Sequence, residues 1–158
     1  MTADLAGFTD IVVREAELAG RFVGLLEREK AVLTEGRAEA LGEAVKEKEV
    51  LAAELNELTR ERGRRLAEEG LTPDRTGMDD WLARHPEQEE ARAAWNRTLA
   101  GAAQAKEINR LNGELIRMQM EIAAQALEIL QRKESRLDLY GPDGRSTSPS
   151  APRIDHAV

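Results

Sequence analysis

Two histidines, His85 and His156, are the only side chains in this 158-residue chain that ordinarily titrate near neutral pH, and there is no cysteine. A His-His metal pair at helical spacing is therefore excluded, as are thiolate nucleophiles and disulfides. His85 precedes Pro86 and is expected as a solvated loop residue, while His156 falls in a polar tail. There is no Gly-rich phosphate loop and no Gly-x-Ser-x-Gly elbow. The Glu-rich stretches also lack the paired Glu-x-x-His elements of a di-iron bundle. Carboxylate pairs on the helices read as solvated faces. The chain is read as a non-enzyme with no catalytic residue, no metal site and no cofactor.

The residues that could act are apolar, and their work would be recognition. Near the C-terminus two heptad rows run together. One is Ile108, Leu111, Leu115, Met118, Ile122 and Ile129, and the other is Ile116, Met120, Ala123, Leu127 and Leu130. They are offset by one or two residues, about 100° to 200° around a helix axis, so this helix is apolar on much more than one stripe. One row can pack inside a bundle. The other can simply pack between the first and second helices of a three-helix bundle, or serve as a groove for a partner's amphipathic helix, for which the adaptable thioethers Met118 and Met120 are apt, or as a surface for self-association. Gly113, with Asn109 and Asn112 beside it, is costly in a helix interior and reads as a close helix–helix approach or, more sharply, a kink.

Composition sets the elements that must carry these rows. Ala, Leu, Glu, Lys and Arg fill more than half of the chain and aromatics only 3%, which indicates long helices and a core of Leu, Ala, Ile and Val. The fold class expected is all-α: an elongated antiparallel bundle of three long helices plus a short connecting helix, ending in a disordered tail. A net charge of −7 argues against nucleic acid. Neither an apolar run long enough for membrane insertion nor a signal-peptide pattern occurs, so a cytoplasmic protein is expected.

One domain spans 1–140. Its N-terminal hairpin covers 3–69, capped by Thr2 or Asp4 and turned at Gly36. Glu15 and Glu29 interrupt its apolar seam. The cluster Arg60 to Arg65 reads as favourable charge at a helix C-terminus. The segment 70–86 holds a loop, Gly70 to Gly77, and a short helix, Met78 to Arg84, whose Trp81 should plug one end of the bundle. Pro86 suits the first turn of a long C-terminal helix, 87–137, with Glu87, Glu89 and Glu90 at its positive end. Helices of roughly 30 to 45 residues would span roughly 45 to 65 Å and make a rod. Gly141-Pro142-Asp143-Gly144 is a turn, and 141–158 as a whole is too polar to order itself.

Several segments carry a family resemblance. Asn109-Arg110-Leu111-Asn112-Gly113-Glu114-Leu115-Ile116, Ala126-Leu127-Glu128-Ile129-Leu130 and Leu139-Tyr140-Gly141-Pro142-Asp143-Gly144-Arg145 resemble the C-terminal half of the FlgN family of flagellar export chaperones. Leu25-Leu26-Glu27 to Leu33, Ala40-Leu41, Lys46-Glu47-Lys48 and Leu51 through Leu58 to Arg62 are similar to its first hairpin. Gly70 to Asp74 and Trp81-Leu82 resemble its connector. The resemblance implies a bacterial cytoplasmic chaperone that holds hook-associated junction proteins unpolymerised and delivers them to the export gate. It assigns cargo binding to Ile108, Leu111, Leu115, Ile116, Met118, Met120, Ile122, Leu127, Ile129 and Leu130. It assigns docking on the gate's cytoplasmic domain to Tyr140. The competing reading is a structural or regulatory coiled-coil adaptor that self-associates through the same face.

Overall fold

The computed structural model describes residues 4–139. Its elements are α1 (Leu5–Glu35), a single 3-10 turn (Ala38–Ala40), α2 (Leu41–Glu68), α3 (Arg75–Arg84) and α4 (Glu89–Leu139). No strand occurs among the described residues. Three long helices and one short connecting helix are thus present, as the composition and glycine placement predict. The expectations on Thr2, Tyr140 and the tail 141–158 lie outside the described residues. The chain divides into two compact units, Met1–Leu115 and Ile116–Val158.

Local chemistry sets the helix ends. The Asp4 carboxylate accepts the Gly7 N–H at 2.9 Å and caps α1. At the other end Gly36 adopts φ 72°, and the Gly36 and Arg37 N–H groups donate to the Leu33 and Val32 carbonyls. That left-handed stop forces the reversal into α2. Asp74 caps α3 by accepting from the Gly77 N–H at 3.1 Å. Only glycine fits there, because a Cβ on Gly77 would lie 1.6 Å from the Thr72 carbonyl oxygen. Both capping carboxylates are held below the usual aspartate range, Asp4 chiefly by the Gly7 N–H and Asp74 chiefly by the Thr72 hydroxyl. Pro86 is not in the first turn of α4. It sits in a turn closed by the Gln88 N–H donating to the His85 carbonyl, and α4 begins at Glu89, with Glu89 and Glu90 in its first turn.

In the first unit the long helices run up, down and up. Ion pairs Asp4–Arg65, Glu15–Arg62 and Arg28–Glu47 set α1 antiparallel to α2. Thr9 donating to Gln88, Gly101 against Ala19 and Asn112 donating to the Leu26 carbonyl set α4 parallel to α1. The largest core cluster lies where α3 closes one end: Phe8, Val12 and Ala16 of α1, Leu66 of α2, Met78, Trp81 and Leu82 of α3, and Ala91, Ala94 and Trp95 of α4. Trp81 is fully buried; it stacks on His85 and meets Phe8 with the rings tilted by 43°, each with ring centroids 4.4 Å away. It is the plug its sequence position suggests. His85, expected in solvent, is half-buried and donates from Nδ1 to the Trp81 carbonyl at 2.9 Å.

The two carboxylates that interrupt the α1 seam, Glu15 and Glu29, are buried. Glu15 accepts two bonds from Arg62, at 2.8 and 3.2 Å, and one from the Thr59 hydroxyl at 3.1 Å. The Arg62 guanidinium also lies 4.6 Å from the centre of the Trp95 ring. Glu29 accepts from Asn112 at 3.2 Å and pairs with Lys48 at 3.6 Å. Two more arginines of the basic cluster are paired locally: Arg64 binds Glu61 and Glu68, and Arg65 binds Glu61 and Asp4. These arginines hold the Glu61 carboxyl below its ordinary range.

The asparagines near Gly113 are tethers. Asn112 is buried and reaches α1, while Asn109 accepts from Lys48 of α2 at 3.3 Å. Gly113 itself faces open space, with nothing within 4 Å of a built Cβ, so the expected close approach is absent there. It occurs at Gly101, whose Cβ position is 3.5 Å from that of Ala19.

Two outcomes follow for stability. Glu15→Ala strands the Arg62 charge in the interior and should cost about 3 kcal/mol in urea unfolding, whereas Glu15→Leu combined with Arg62→Met should recover most of the loss. Equal destabilisation by both would contradict the pair's role. Gly113→Ala should stabilise by about 0.5 to 1 kcal/mol, because the site has room and lies mid-helix. A loss of stability there would restore the close-approach reading.

Candidate partner-binding face

The apolar rows of α4 divide at the boundary between the two units. Within the first unit Ile108 is buried at 8% exposure, and Leu111 and Leu115 are half-buried. From Ile116 to Leu137 the large apolar residues are exposed: Ile116, Met118, Met120, Ile122, Leu127, Ile129, Leu130 and Leu137, with values up to 67% at Met120 and 71% at Leu137. The ten residues predicted for cargo binding therefore fall into two groups. Ile108 is taken up by the packing of its own unit, Leu111 and Leu115 lie at the margin, and the other seven present their side chains to solvent.

Helical geometry arranges those seven. At about 100° per residue, Met120, Leu127 and Leu130 project within about 40° of Ile116, and Ala123 joins them. Met118, Ile122 and Ile129 project on a second arc at about 200° to 240° from Ile116. Arg117, Glu121, Glu128 and Arg132 fill the polar strip on one side between the arcs. On the other side Ala126 and the polar Gln119 lie between them, so the helix presents two separate apolar arcs. Arg132 bonds Glu128 at 2.8 Å, one turn away, and this pair leaves the apolar faces unobstructed.

The chemistry available on this segment is burial. Each fully buried Leu, Ile or Met side chain contributes about 1.5 to 3 kcal/mol, so a helix laid along either arc has a large driving force. Among the described residues no group of His, Cys, Asp or Glu could hold a metal ion. No described helix is long and apolar enough to cross a membrane. Tyr140, the residue assigned to gate docking, lies outside the described residues.

Sequence reasoning missed the groups that set where the exposed segment starts. Asn112 and Trp95 tie α4 to α1 and α2 through the Leu26 carbonyl, Glu29 and Arg62. A signal existed at Asn112, a polar residue among the apolar positions Ile108, Leu111 and Leu115. Its partners are more than 80 positions away in the chain, at |i−j| of 86 and 83.

Comparison with known proteins agrees with the resemblance. The family model described as FlgN protein matches residues 1–148, nearly the whole chain. No curated protein and no solved structure matches it. With the three-helix unit, the exposed double-faced helix and this match together, the chain belongs to the FlgN family of flagellar export chaperones.

Proposed function

We propose that residues 116–130 of α4 bind the helical terminal segment of hook-associated junction proteins in the bacterial cytoplasm, keep them from polymerising early and present them to the export gate. One observation carries this reading. Apolar positions on α1, α3 and the first half of α4 are largely buried, yet the series from Ile116 to Leu130 is exposed without exception. A contiguous apolar surface of this kind on a soluble domain marks an interaction site.

A polymerising cargo subunit carries its own apolar helix stripe, made to pack on neighbouring subunits. Laying that stripe along one arc of α4 gives it a coiled-coil partner and removes it from competing contacts. Shielding by equilibrium binding needs no nucleotide, and release requires only that the cargo find a better partner. Because Ile108 is buried, the cargo face begins beyond it, at the half-buried margin of Leu111 and Leu115. The family resemblance adds Tyr140 as the residue that docks on the gate's cytoplasmic domain.

The face is tested by charge insertion. Leu127→Asp should abolish capture of junction-protein C-terminal segments in a pull-down while helicity by circular dichroism is unchanged; capture at the wild-type level would refute the assignment. The isolated protein should sediment as a small species that gains mass when cargo is added, whereas a stable oligomer without cargo would favour the self-associating adaptor. Tyr140→Ala should weaken binding to the gate's cytoplasmic domain at least several-fold and leave cargo capture intact. Loss of both together would overturn the separation of roles.

A further inference from the structure

Gly113 has no partner inside the chain. It is exposed within α4, and a Cβ there would meet nothing within 4 Å, although glycine is a poor helix former that a contact would normally have to justify. The residues at heptad spacing from it supply a reason. Gly113, Met120 and Leu127 stand seven apart, and Ile116, Ala123 and Leu130 form a second row three residues on. Together they make one seam with the alternating three- and four-residue steps of a coiled coil, bounded by Asn109 before it and Glu134 after it. Every member of the seam is exposed, and Met120, Leu127 and Leu130 are each more than half exposed.

The sizes along this seam are complementary to their own reverse order. When a second copy of α4 is turned end for end with its Ala123 opposite Met120, Gly113 meets the partner's Leu130 and Ile116 meets the partner's Leu127, and two-fold symmetry repeats all three layers. The smallest residues thus lie against long ones. Asn109 falls opposite the partner's Glu134, polar against polar, beyond the apolar layers. Neighbouring alignments lose this match. A shift of one heptad in one direction buries Glu134 against Ile116, and a shift in the other lays Leu127 on Asn109 and leaves Gly113 facing Ala123 across a void. A parallel pair in register stacks glycine on glycine and alanine on alanine, with two such voids. In the antiparallel pair the flanks are compatible too, since Arg117 faces the partner's Ala124 and no like charges are brought together there.

We propose that a second copy of this chain covers the seam from Gly113 to Leu130 in an antiparallel contact, masking the cargo face until cargo displaces it. The seam is about 26 Å long and one helix wide, which puts the contact at the low end of interface sizes, below the roughly 1,200 to 2,000 Å² of stable complexes. Pairing is therefore weak and concentration-dependent, and a cargo helix that packs better than the second copy takes its place. The self-pairing stands on the seam alone, whereas its masking role rests on the cargo reading above.

Sedimentation of the full chain over a concentration series tests the pairing, with a monomer expected below about 10 μM and a growing share of dimer above it. Gly113→Leu should weaken the dimer at least ten-fold with helicity unchanged or higher, because leucine is the better helix former and only the partner's Leu130 competes for the space. Leu130→Ala alone should also weaken it, and the two changes together, which exchange the large and small sides of the same layer, should restore it to within about three-fold. Because the chain has no cysteine, direction can be read by oxidation: Arg117→Cys mixed with Ala124→Cys should cross-link faster than either variant alone. Monomer at every concentration, a dimer indifferent to Gly113→Leu, no rescue by the double variant, or fastest cross-linking of Arg117→Cys with itself would each overturn the self-pairing. Excess junction-protein C-terminal segment should convert dimer to a cargo-bound monomer. A dimer that keeps its mass with cargo bound to it would overturn the masking role, and a dimer with no cargo binding at all would overturn the cargo reading while supporting the pairing.

Discussion

One guanidinium joins the three long helices of the first unit. Arg62 of α2 donates twice to Glu15 of α1 and lies against the Trp95 ring of α4, all in the interior. A buried ion pair adds little net stability relative to apolar residues of the same volume, but a misaligned one is expensive, because it leaves a charge without its partner. The contact therefore acts mainly on register. Sliding α1 against α2 by one turn would strand both Glu15 and Arg62, and sliding α4 would take the Trp95 ring away from the guanidinium. The Asn112 amide, held by the Leu26 carbonyl and Glu29, fixes α4 against α1 a second time. With the register set at both places, which residues of α4 are enclosed is no longer adjustable: Ile108 is inside, and Ile116 and its successors are outside.

That division has an energetic consequence. Most helical stability in proteins comes from packing an apolar face rather than from intrinsic propensity. Residues 116–137 have the helical sequence but expose the apolar side chains that packing would bury. The free energy left unrealised there is available to a partner, and binding that realises it needs no fuel. The chaperone reading rests on this imbalance between a first half of α4 that is packed and a second half that is not.

The sequence disclosed the elements well because their signals are local. Gly36 ends α1 through its own left-handed φ, Asp4 and Asp74 cap the nearest N–H groups, and Trp81 sits in a short segment that has one way to bury it. The double row on α4 was equally legible, since periodicity needs no knowledge of neighbours. What escaped was whatever depends on distant partners. Glu15 and Glu29 are legible as interruptions of the seam, but their partners Arg62, Lys48 and Asn112 come from other helices. Gly113 suggested a contact that Gly101 makes instead, because spacing along one helix cannot say which glycine faces a small residue on another. Pro86 fell outside α4 because His85 packs back on Trp81 and the turn is completed before the helix begins.

Amide hydrogen exchange along α4 tests the central claim most directly, since it reports packing residue by residue. In the free protein, amides from Ala91 to Asn112 should exchange near the rate of global unfolding and those from Met118 to Leu137 far faster. Adding a junction-protein C-terminal segment should slow the second group and leave the first unchanged. Uniform protection along the whole helix in the free protein, or no change in the second group on adding cargo, would contradict the account.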